Sequence, residues 1–578
     1  MKYSLVNENF QDNYVERLIE SRGGDYSKLL NIGPESLNSP DLLDNIEKGA
    51  NLFLTKIKAN DSKKIAYITD SDTDGFTSSA ILWQYGKLLA PEKEFIYFIH
   101  SGKQHGLEDM IDSLTERDDI SLVVVPDAGS SDYEYHKTLK DIGIPVLVLD
   151  HHEAIEASEN AVIINNQLSS RYPNKQLTGA GVVYQFCRYI DENYDLNYAD
   201  EFIDLAALGI IADMGSVLEP ENQYIIRAGL AKENKNKLFQ EMLEKQEYSI
   251  GDLNNLNSIA ISFYIAPLIN ALIRVGTMEE KEKMFEAFIN GTQQVLSTKR
   301  GAKGQIEMLA TQVTRNCVNA RARQNRILDK AIDNISIRIF NNNLDENSIL
   351  VIELDDEEDN FPPELNGLTA MKLAAAYKKP TLVLRKNSLG YLRGSARGLN
   401  NSTLKSFKDY LTLTGFFEYC TGHANAFGCS IKESDLAEFI KRSNIGLANY
   451  NFKDTSYDVN FIREAIDADI PELIQDIYSK RVLYGQFNDE PLICIRDINF
   501  NVANIKIMGK DKDTIKIENN GIAYMKFKGT QLIEDLSRFT GAVSMEVVGH
   551  ANYNTWMGYS TPQIFIEDYN IQDLRLSF

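Results

Sequence analysis

Three short apolar runs, Ile65–Thr69, Leu122–Val125 and Val146–Leu149, are rich in β-branched residues, and helix-compatible stretches such as Thr77–Leu89 separate them. This alternation constrains the first third of the chain to a doubly wound α/β domain with a parallel sheet, because parallel neighbours need a crossover that a helix supplies. Each run ends in acid: Asp70, Pro126-Asp127 and Asp150. In open α/β sheets the ligand crevice lies at the carboxyl ends of the strands, so these acids are expected to converge on one site.

The full length of 578 residues leaves room for three or four domains. Lys299–Lys330 reads as a long helix with eight basic and two acidic residues, taken as an interdomain connector. A second mixed segment has apolar runs at Ile349–Glu353 and Thr381–Leu384 flanking a helical Leu368–Tyr377. Pro491–Phe565 carries short alternating strands, Ile505–Ile507, Ile515–Ile517, Ala523–Phe527 and Val543–Val548, with Gly and Asn between them, the pattern of a small all-β barrel. The net charge of −23 argues against gripping nucleic acid through a bulk field, so such binding needs a local basic groove. No apolar run approaches the ~20 residues that cross a bilayer, and the polar N-terminus lacks a signal-peptide core, so a cytoplasmic, intracellular protein is expected. Cys187, Cys317, Cys420, Cys429 and Cys494 form no C-x-x-C pair and are expected to be buried free thiols.

Two clusters carry chemistry. Asp70-Ser-Asp72-Thr-Asp74-Gly75 opens like a calcium-binding EF-hand loop, but the twelfth position is Ile81 and the preceding segment reads as a strand. Three carboxylates within five residues repel one another unless a cation joins them. Asp150-His151-His152 directly follows VLVL. A lone His pair is more often structural than ligating, but this one stands beside two other acid-terminated strands. Imidazole with carboxylates suits manganese, iron or zinc better than calcium. Asp127 and Asp213 complete the set, Asp213 following LAALGIIA either as a cap or as a group reaching the same crevice. Carboxylates around two metals ~3.5–4 Å apart would clamp a phosphoryl group and activate water.

The order DSDTDG, VVPDAG, LDHHEA, IADMGS resembles the four motifs of the DHH phosphoesterase superfamily, and the details are closest to its RecJ-like single-strand-specific exonucleases. IINNQLSSRYPNKQLTGAGVVYQF (163–186), FYIAPLINALIRVG (263–276), RGSARG (393–398), TGHANAFG (421–428) and NTWMGYSTPQIFIED (554–568) are similar to later segments of that branch, in family order from about Ile65. Departures stand at Thr421-Gly422-His423 for the usual Gly-Gly-His, at His105-Gly106 for Tyr-Gly, and at Leu272-Ile273-Arg274 for Ala-Gly-Arg. They point to a divergent member of the kind mobile or viral genomes carry.

The resemblance implies an N-terminal helical lead-in (1–50), a DHH catalytic domain (51–298), a connecting helix (299–335), a smaller α/β DHH-associated domain (336–450) and an all-β OB-fold (451–578). It implies a metal-dependent exonuclease that hydrolyses single-stranded DNA from 5′ to 3′ in repair, recombination or replication. Beside it stand a DHH phosphodiesterase for short RNA or cyclic dinucleotides, which typically lacks an OB-fold, and a non-catalytic DNA-binding replication factor, whose relatives tend to lose the ligands kept here. By the same resemblance Asp127 bridges two divalent ions, Asp74, His151 and Asp213 complete one side and Asp72 the other, Asp70 lies close by, and Asp150 and His152 orient ligands or phosphate. Manganese(II) is the expected metal and magnesium(II) the alternative. Arg274, Ser395 and Arg397 are expected to bind the 5′ end, the other reading being ion pairs of the two arginines, and Gly422 and His423 to meet a substrate phosphate. The expected partners are single-stranded DNA and a single-strand-binding protein or helicase, with no membrane, for a monomer. His100, His136 and His550 read as structural or exposed, Trp556 as a barrel residue, and the Arg315–Arg326 stripe as a solvated face or a backbone-tracking channel.

Overall fold

The computed structural model describes residues 1–574 except 103, 252, 303, 356–358, 360, 401, 453–454 and 557–558, and only the backbone of 254, 555–556 and 559. The chain divides into two compact units. An α/β unit comprises Arg22–Gln324 and Val482–Asp489; a second unit comprises Met1–Ser21, Asn325–Arg481 and Glu490–Phe578.

The first strand, β1 (Lys2–Leu5), belongs to the second unit. The α/β unit is built on five parallel strands, β2 (Lys64–Thr69), β3 (Phe95–Ile99), β4 (Ile120–Pro126), β5 (Val146–Asp150) and β6 (Val162–Asn165), in the spatial order β3-β2-β4-β5-β6. Every residue of β4 and β5 is buried, as a sheet covered on both faces requires. Side chains alternate between the two layers. Leu122 and Val124 enter the larger core with Phe53, Phe76, Val182 and Leu208, while Val123 and Val125 enter the opposite one with Leu107, Leu114 and Leu139. The chain runs from β2 outward to β3 and returns on the other side at β4. The order therefore reverses between β2 and β4, which is where a crevice opens at the carboxyl ends of the strands.

The long helix begins later than its basic composition suggests. A hairpin of β7 (Gln294–Leu296) and β8 (Ile306–Met308) takes the first part of that stretch, with Gly301 and Gly304 in the left-handed region, and the helix itself is Leu309–Asn341. Ser258–Val275 is helical over 18 residues and apolar enough to cross a membrane by length and composition, but half of it is buried within the fold. The segment Val482–Asp489 packs with the α/β unit: Val217 N donates to Gln486 O (3.1 Å) and Gln223 Nε2 to Val482 O (2.8 Å).

In the second unit, β9 (Leu350–Leu354), β10 (Thr381–Lys386), β11 (Tyr391–Arg397), β12 (Phe417–His423) and β13 (Ala426–Lys432) form a sheet in the order β12-β13-β11-β10-β9, with the helix Asn366–Tyr377 against β10 and β11. Next, β14 (Ser456–Val459) pairs in parallel with β1. The lead-in expected to be helical therefore starts as a strand, because Tyr3 and Leu5 pack with Tyr457, Val459, Cys494 and Val548, a partnership no local pattern displays. A seven-stranded sheet closes the unit: β15 (Phe461–Glu464), β16 (Leu492–Asn501), β17 (Lys506–Met508), β18 (Thr514–Asn519), β19 (Ile522–Lys526), β20 (Ala542–Trp556) and β21 (Tyr559–Asp573), in the order β15-β16-β20-β21-β19-β18-β17. Two helices, Ile470–Ser479 and Thr530–Ser537, accompany it, so this β-rich part is not purely β.

Arg463, 2% exposed, ties the chain start to this unit. Its guanidinium donates to Asp469 Oδ2 (2.7 Å), Asn9 Oδ1 (3.0 Å), Ile462 O (2.9 Å) and Phe10 O (2.7 Å). Removing it strands several buried acceptors, so Arg463→Met is expected to destabilise this unit by about 2–3 kcal/mol. Amide exchange over Lys2–Phe10 should accelerate in that variant; an unchanged melt and unchanged exchange would show that the β1–β14 pairing suffices alone.

Candidate metal centre

Eight of the acids and histidines singled out in the sequence come from four places in the α/β unit, and the fold brings them together. Asp70 follows β2. Asp72 caps the helix Thr73–Leu89, its Oδ1 accepting Gly75 N–H at 3.0 Å, and Asp74 lies in the first turn with Oδ1 accepting Ala180 N–H at 3.1 Å. Asp127 follows β4 at φ +68°, left-handed backbone that Asp and Asn tolerate better than most residues. Asp150 ends β5 and is followed by His151 and His152, and Asp213 is the C-cap of the helix Ile203–Ala212. The candidate ligand atoms fall into overlapping groups, each with its atoms within 4.8 Å of one another: Asp74, His151 and Asp213; Asp70, Asp72 and Asp127; and Asp127 with Asp150, His151 and His152. His151 Nε2 is 3.2 Å from Asp127 Oδ1 and 3.4 Å from Asp213 Oδ2.

Two glycines make this approach possible. A Cβ at Gly179 would collide with Asp127 Oδ1, and one at Gly209 with Asp74 Oδ1 and Thr77 Oγ1, so the GAG and LGIIA segments are glycine where helix backbone meets carboxylate.

Asp70 Oδ1, Asp74 Oδ2 and Asp127 Oδ1 are buried and accept no hydrogen bond from the described residues. Burial and then the charge of Asp72 push Asp74 up to about 7; burial, Asp74 and Asp72 push Asp213 up to about 8; burial and then Asp74 hold Asp127 far above the usual carboxylate range. Asp150 differs: burial opposes its charge, but the His152 hydrogen bond and the histidine charges outweigh that and hold it well below the usual range. Its Oδ1 accepts His151 N, His152 N and His152 Nδ1 at 2.7, 3.1 and 2.8 Å, and its Oδ2 accepts Ser130 N at 3.0 Å. Burial lowers His151 to about 4, so it is a neutral imidazole available as a ligand; burial also opposes charge on His152, but Asp150 lifts it to about 9. Buried carboxylate oxygens without donors, beside a neutral imidazole, are a donor set that fits divalent transition-metal ions.

Arg274, in the last turn of Ala266–Val275, makes no hydrogen bond or ion pair among the described residues; burial lowers it and the charge of Asp72 raises it. The other expected substrate contacts lie in the second unit. Ser395 and Arg397 are on β11, where Arg397 Nη1 donates to Ala396 O at 2.7 Å and a Cβ on Gly367 would lie 2.7 Å from Arg397 Nη2. Gly422, at φ +131°, and the exposed His423 end β12. The arginine stripe is partly neutralised, Arg315 pairing with Glu307 (2.6 Å) and Arg323 with Glu280 (2.8 Å). His100 is buried with Nδ1 2.7 Å from Asp109, His136 is buried with no hydrogen bond to its ring among the described residues, His550 is partly exposed, and the Trp556 side chain lies outside the described residues. Sequence reasoning missed His105 as a member of the site, although its ring touches Asp70, and missed Asn270, whose Oδ1 accepts Thr73 Oγ1 at 2.9 Å.

Asp127→Asn separates metal from fold, since Asn keeps the left-handed backbone. Asp127 is raised in the folded state, so ionising it costs stability as pH climbs above its unfolded value of about 3.9. The metal-free variant is therefore expected to melt no lower than the parent at pH 7.5. Manganese(II) at 100 times its Kd should stabilise the parent by about 2.7 kcal/mol and the variant far less, as read by thermal shift; equal shifts would remove Asp127 from the centre.

Residues 64–210 match the DHH family, N-terminal domain, and residues 468–568 match the RecJ OB domain. Over its whole length the chain is 36% identical to a Bacillus subtilis (strain 168) protein named as the SPbeta prophage-derived single-strand DNA-specific exonuclease YorK, covering 99% of it. It is 24% identical to the single-stranded-DNA-specific exonuclease RecJ of the same organism over 97% of this chain and 68% of that one. Its fold is similar to the crystal structure of RecJ in complex with Mn2+ from Thermus thermophilus, with a TM-score of 0.68, 20% identity, and coverage of 96% of this chain and 75% of that chain. End-to-end similarity to such a relative, with the acid and histidine motifs gathered at one switch point, means that the chain belongs to the RecJ family of DHH phosphoesterases.

Proposed function

We propose that the protein is a divalent-metal-dependent exonuclease that hydrolyses single-stranded DNA from its 5′ end. The observation that carries this reading is the cluster of Asp70, Asp72, Asp74, Asp127, His151 and Asp213, whose ligand atoms lie in groups within 4.8 Å and include buried, unpaired oxygens. The named activities of the relatives support single-stranded DNA as substrate. The proposal extends to two ions, with manganese(II) preferred because an imidazole is among the donors. It extends also to a monomeric, intracellular protein supplied with single strands by a helicase or a single-strand-binding protein.

A bound pair of divalent ions supplies Lewis-acid polarisation of the phosphoryl group and activation of the attacking water. Asp74, His151 and Asp213 would hold one ion, Asp70 and Asp72 the other, and Asp127 both. Asp150 locks the orientation of His152, whose protonated ring offers a hydrogen bond to a phosphate oxygen as negative charge develops there. Arg274, beside Asp72 and without a protein partner among the described residues, is suited to a neighbouring phosphate. Ser395, Arg397, Gly422 and His423 are proposed as further phosphate contacts, with Arg397 reading the extra charge of a 5′-terminal phosphate.

In the β-rich part, Lys528 is exposed next in sequence to Phe527, itself 57% exposed while its ring meets Phe565 at 5.3 Å. An exposed aromatic face with a neighbouring cation suits an unpaired strand, whose bases stack and whose phosphates pair.

The deciding experiment is digestion of end-labelled single-stranded DNA, duplex DNA, RNA and a cyclic dinucleotide with manganese(II) or magnesium(II). Mononucleotides or short oligonucleotides should be released from the 5′ end of the single strand first; preferential cleavage of the cyclic dinucleotide or release from the 3′ end would reject the reading. Arg397→Ala should slow a 5′-phosphorylated strand far more than a 5′-hydroxyl strand, whereas equal slowing would assign Arg397 a structural role. Phe527→Ala should weaken binding of a long strand about tenfold, and Lys528→Ala should flatten the salt dependence of binding; unchanged affinity and slope in both variants would count against this surface.

A further inference from the structure

Two buried aspartates of the site each hold an imidazole, but they are committed differently. Asp150 and Asp70 are both 1% exposed, and each receives the Nδ1 of a half-exposed histidine: His152 at 2.8 Å and His105 at 2.7 Å. Every oxygen of Asp150 is engaged by donors of the chain, so it orients its neighbours. Among the described residues Asp70 has only Oδ2 engaged, by His105; Oδ1 is buried and accepts no hydrogen bond from them, and Asp70 groups with Asp72 and Asp127. A neutral imidazole carrying its proton on Nδ1 suffices to make that bond.

The loop that delivers His105 is fastened on several sides. Lys281, 2% exposed, donates to His100 O (3.2 Å) and Ser101 O (2.6 Å). His100 Nδ1 lies 2.7 Å from Asp109 Oδ1, Ser71 Oγ donates to Gln104 O at 2.6 Å, and Leu107 N donates to Asp132 Oδ2 at 2.8 Å. A ring held this firmly against one carboxylate oxygen prevents that carboxylate from rotating or binding through both oxygens.

We infer that His105 is a positioning residue that fixes Asp70 as a one-oxygen ligand and so sets the affinity of the cation subsite formed by Asp70, Asp72 and Asp127. The inference rests on the reading of this cluster as a two-ion centre. Position 105 is also one of the places where the sequence departs from the Tyr-Gly that its resemblance to the family implies. His105 would act on one subsite only, leaving that of Asp74, His151 and Asp213 to its own donors.

The test is manganese(II) binding to the full chain, followed by electron paramagnetic resonance of the free ion and by calorimetry, with no substrate present. The parent should bind two ions. His105→Ala should weaken one of them about 10–100-fold and leave the other, and His105→Asn, whose amide N–H can take the place of the Nδ1 donor, should recover most of the loss. Metal-free melting of both variants should match the parent, because the His105 side chain is 47% exposed. Retention of every parental site by His105→Ala, equal weakening of two sites, or no recovery in His105→Asn would each overturn the inference. Absence of nuclease activity in a parent that binds two ions would instead reject the proposed function and leave the assignment of His105 standing.

Discussion

Carboxylates crowded together at the carboxyl ends of β2 and β4 are the constraint around which the α/β unit is organised. Two like charges about 4 Å apart repel by about 4 kcal/mol in a medium of effective dielectric 20, and this site gathers Asp70, Asp72, Asp74, Asp127 and Asp213. A chain left to itself would spread them. Here the order β3-β2-β4-β5-β6 places β2 beside β4 at the switch point, the left-handed Asp127 turns its carboxylate inward, and Gly179 and Gly209 let helix backbone close over the oxygens. The apolar layers on both faces of the sheet hold this arrangement against the repulsion, and a bound cation converts the repulsion into attraction.

That logic decides how much was legible beforehand. A strand that ends in acid carries both signals in consecutive residues, so Asp70, Asp127 and Asp150 could be placed at one sheet end from pattern alone, and their histidine neighbours followed. Asp213 was less legible because a C-cap and a ligand look alike in sequence; only the packing of Ile203–Ala212 against Thr73–Leu89 brings it in. His105 was noticed as a departure and no more, since its role depends on a loop fastened by Lys281, far along the chain.

The fold away from the site follows the same rule. Alternation announced β17, β18, β19 and the start of β20 within a residue or two, most plainly where buried and wetter positions alternate as in β18. It gave no hint of β1, whose partner β14 lies some 450 positions away in sequence and whose residues are polar and apolar by turns like many turns and loops. Basic composition in Lys299–Lys330 suggested helix, but Gly301 and Gly304 adopt a backbone that a helix excludes, so the true start waits until Leu309. Charge density says what a surface attracts; it does not say where a helix can begin.

The allocation of Val482–Asp489 to the α/β unit has a consequence for how the chain is made. The polypeptide passes from one unit to the other at Ser21–Arg22, Gln324–Asn325, Arg481–Val482 and Asp489–Glu490, so neither unit is one uninterrupted stretch. During synthesis the α/β unit waits for a strap that emerges only after most of the second unit, roughly ten seconds or more at ~5–20 residues per second. Until then Val217 and Gln223 lack the partners that Gln486 and Val482 provide. The two units are thus interleaved in time as well as in sequence. No single scission separates them cleanly, and a frameshift anywhere between codons 325 and 481 removes a segment of the unit that carries the metal ligands.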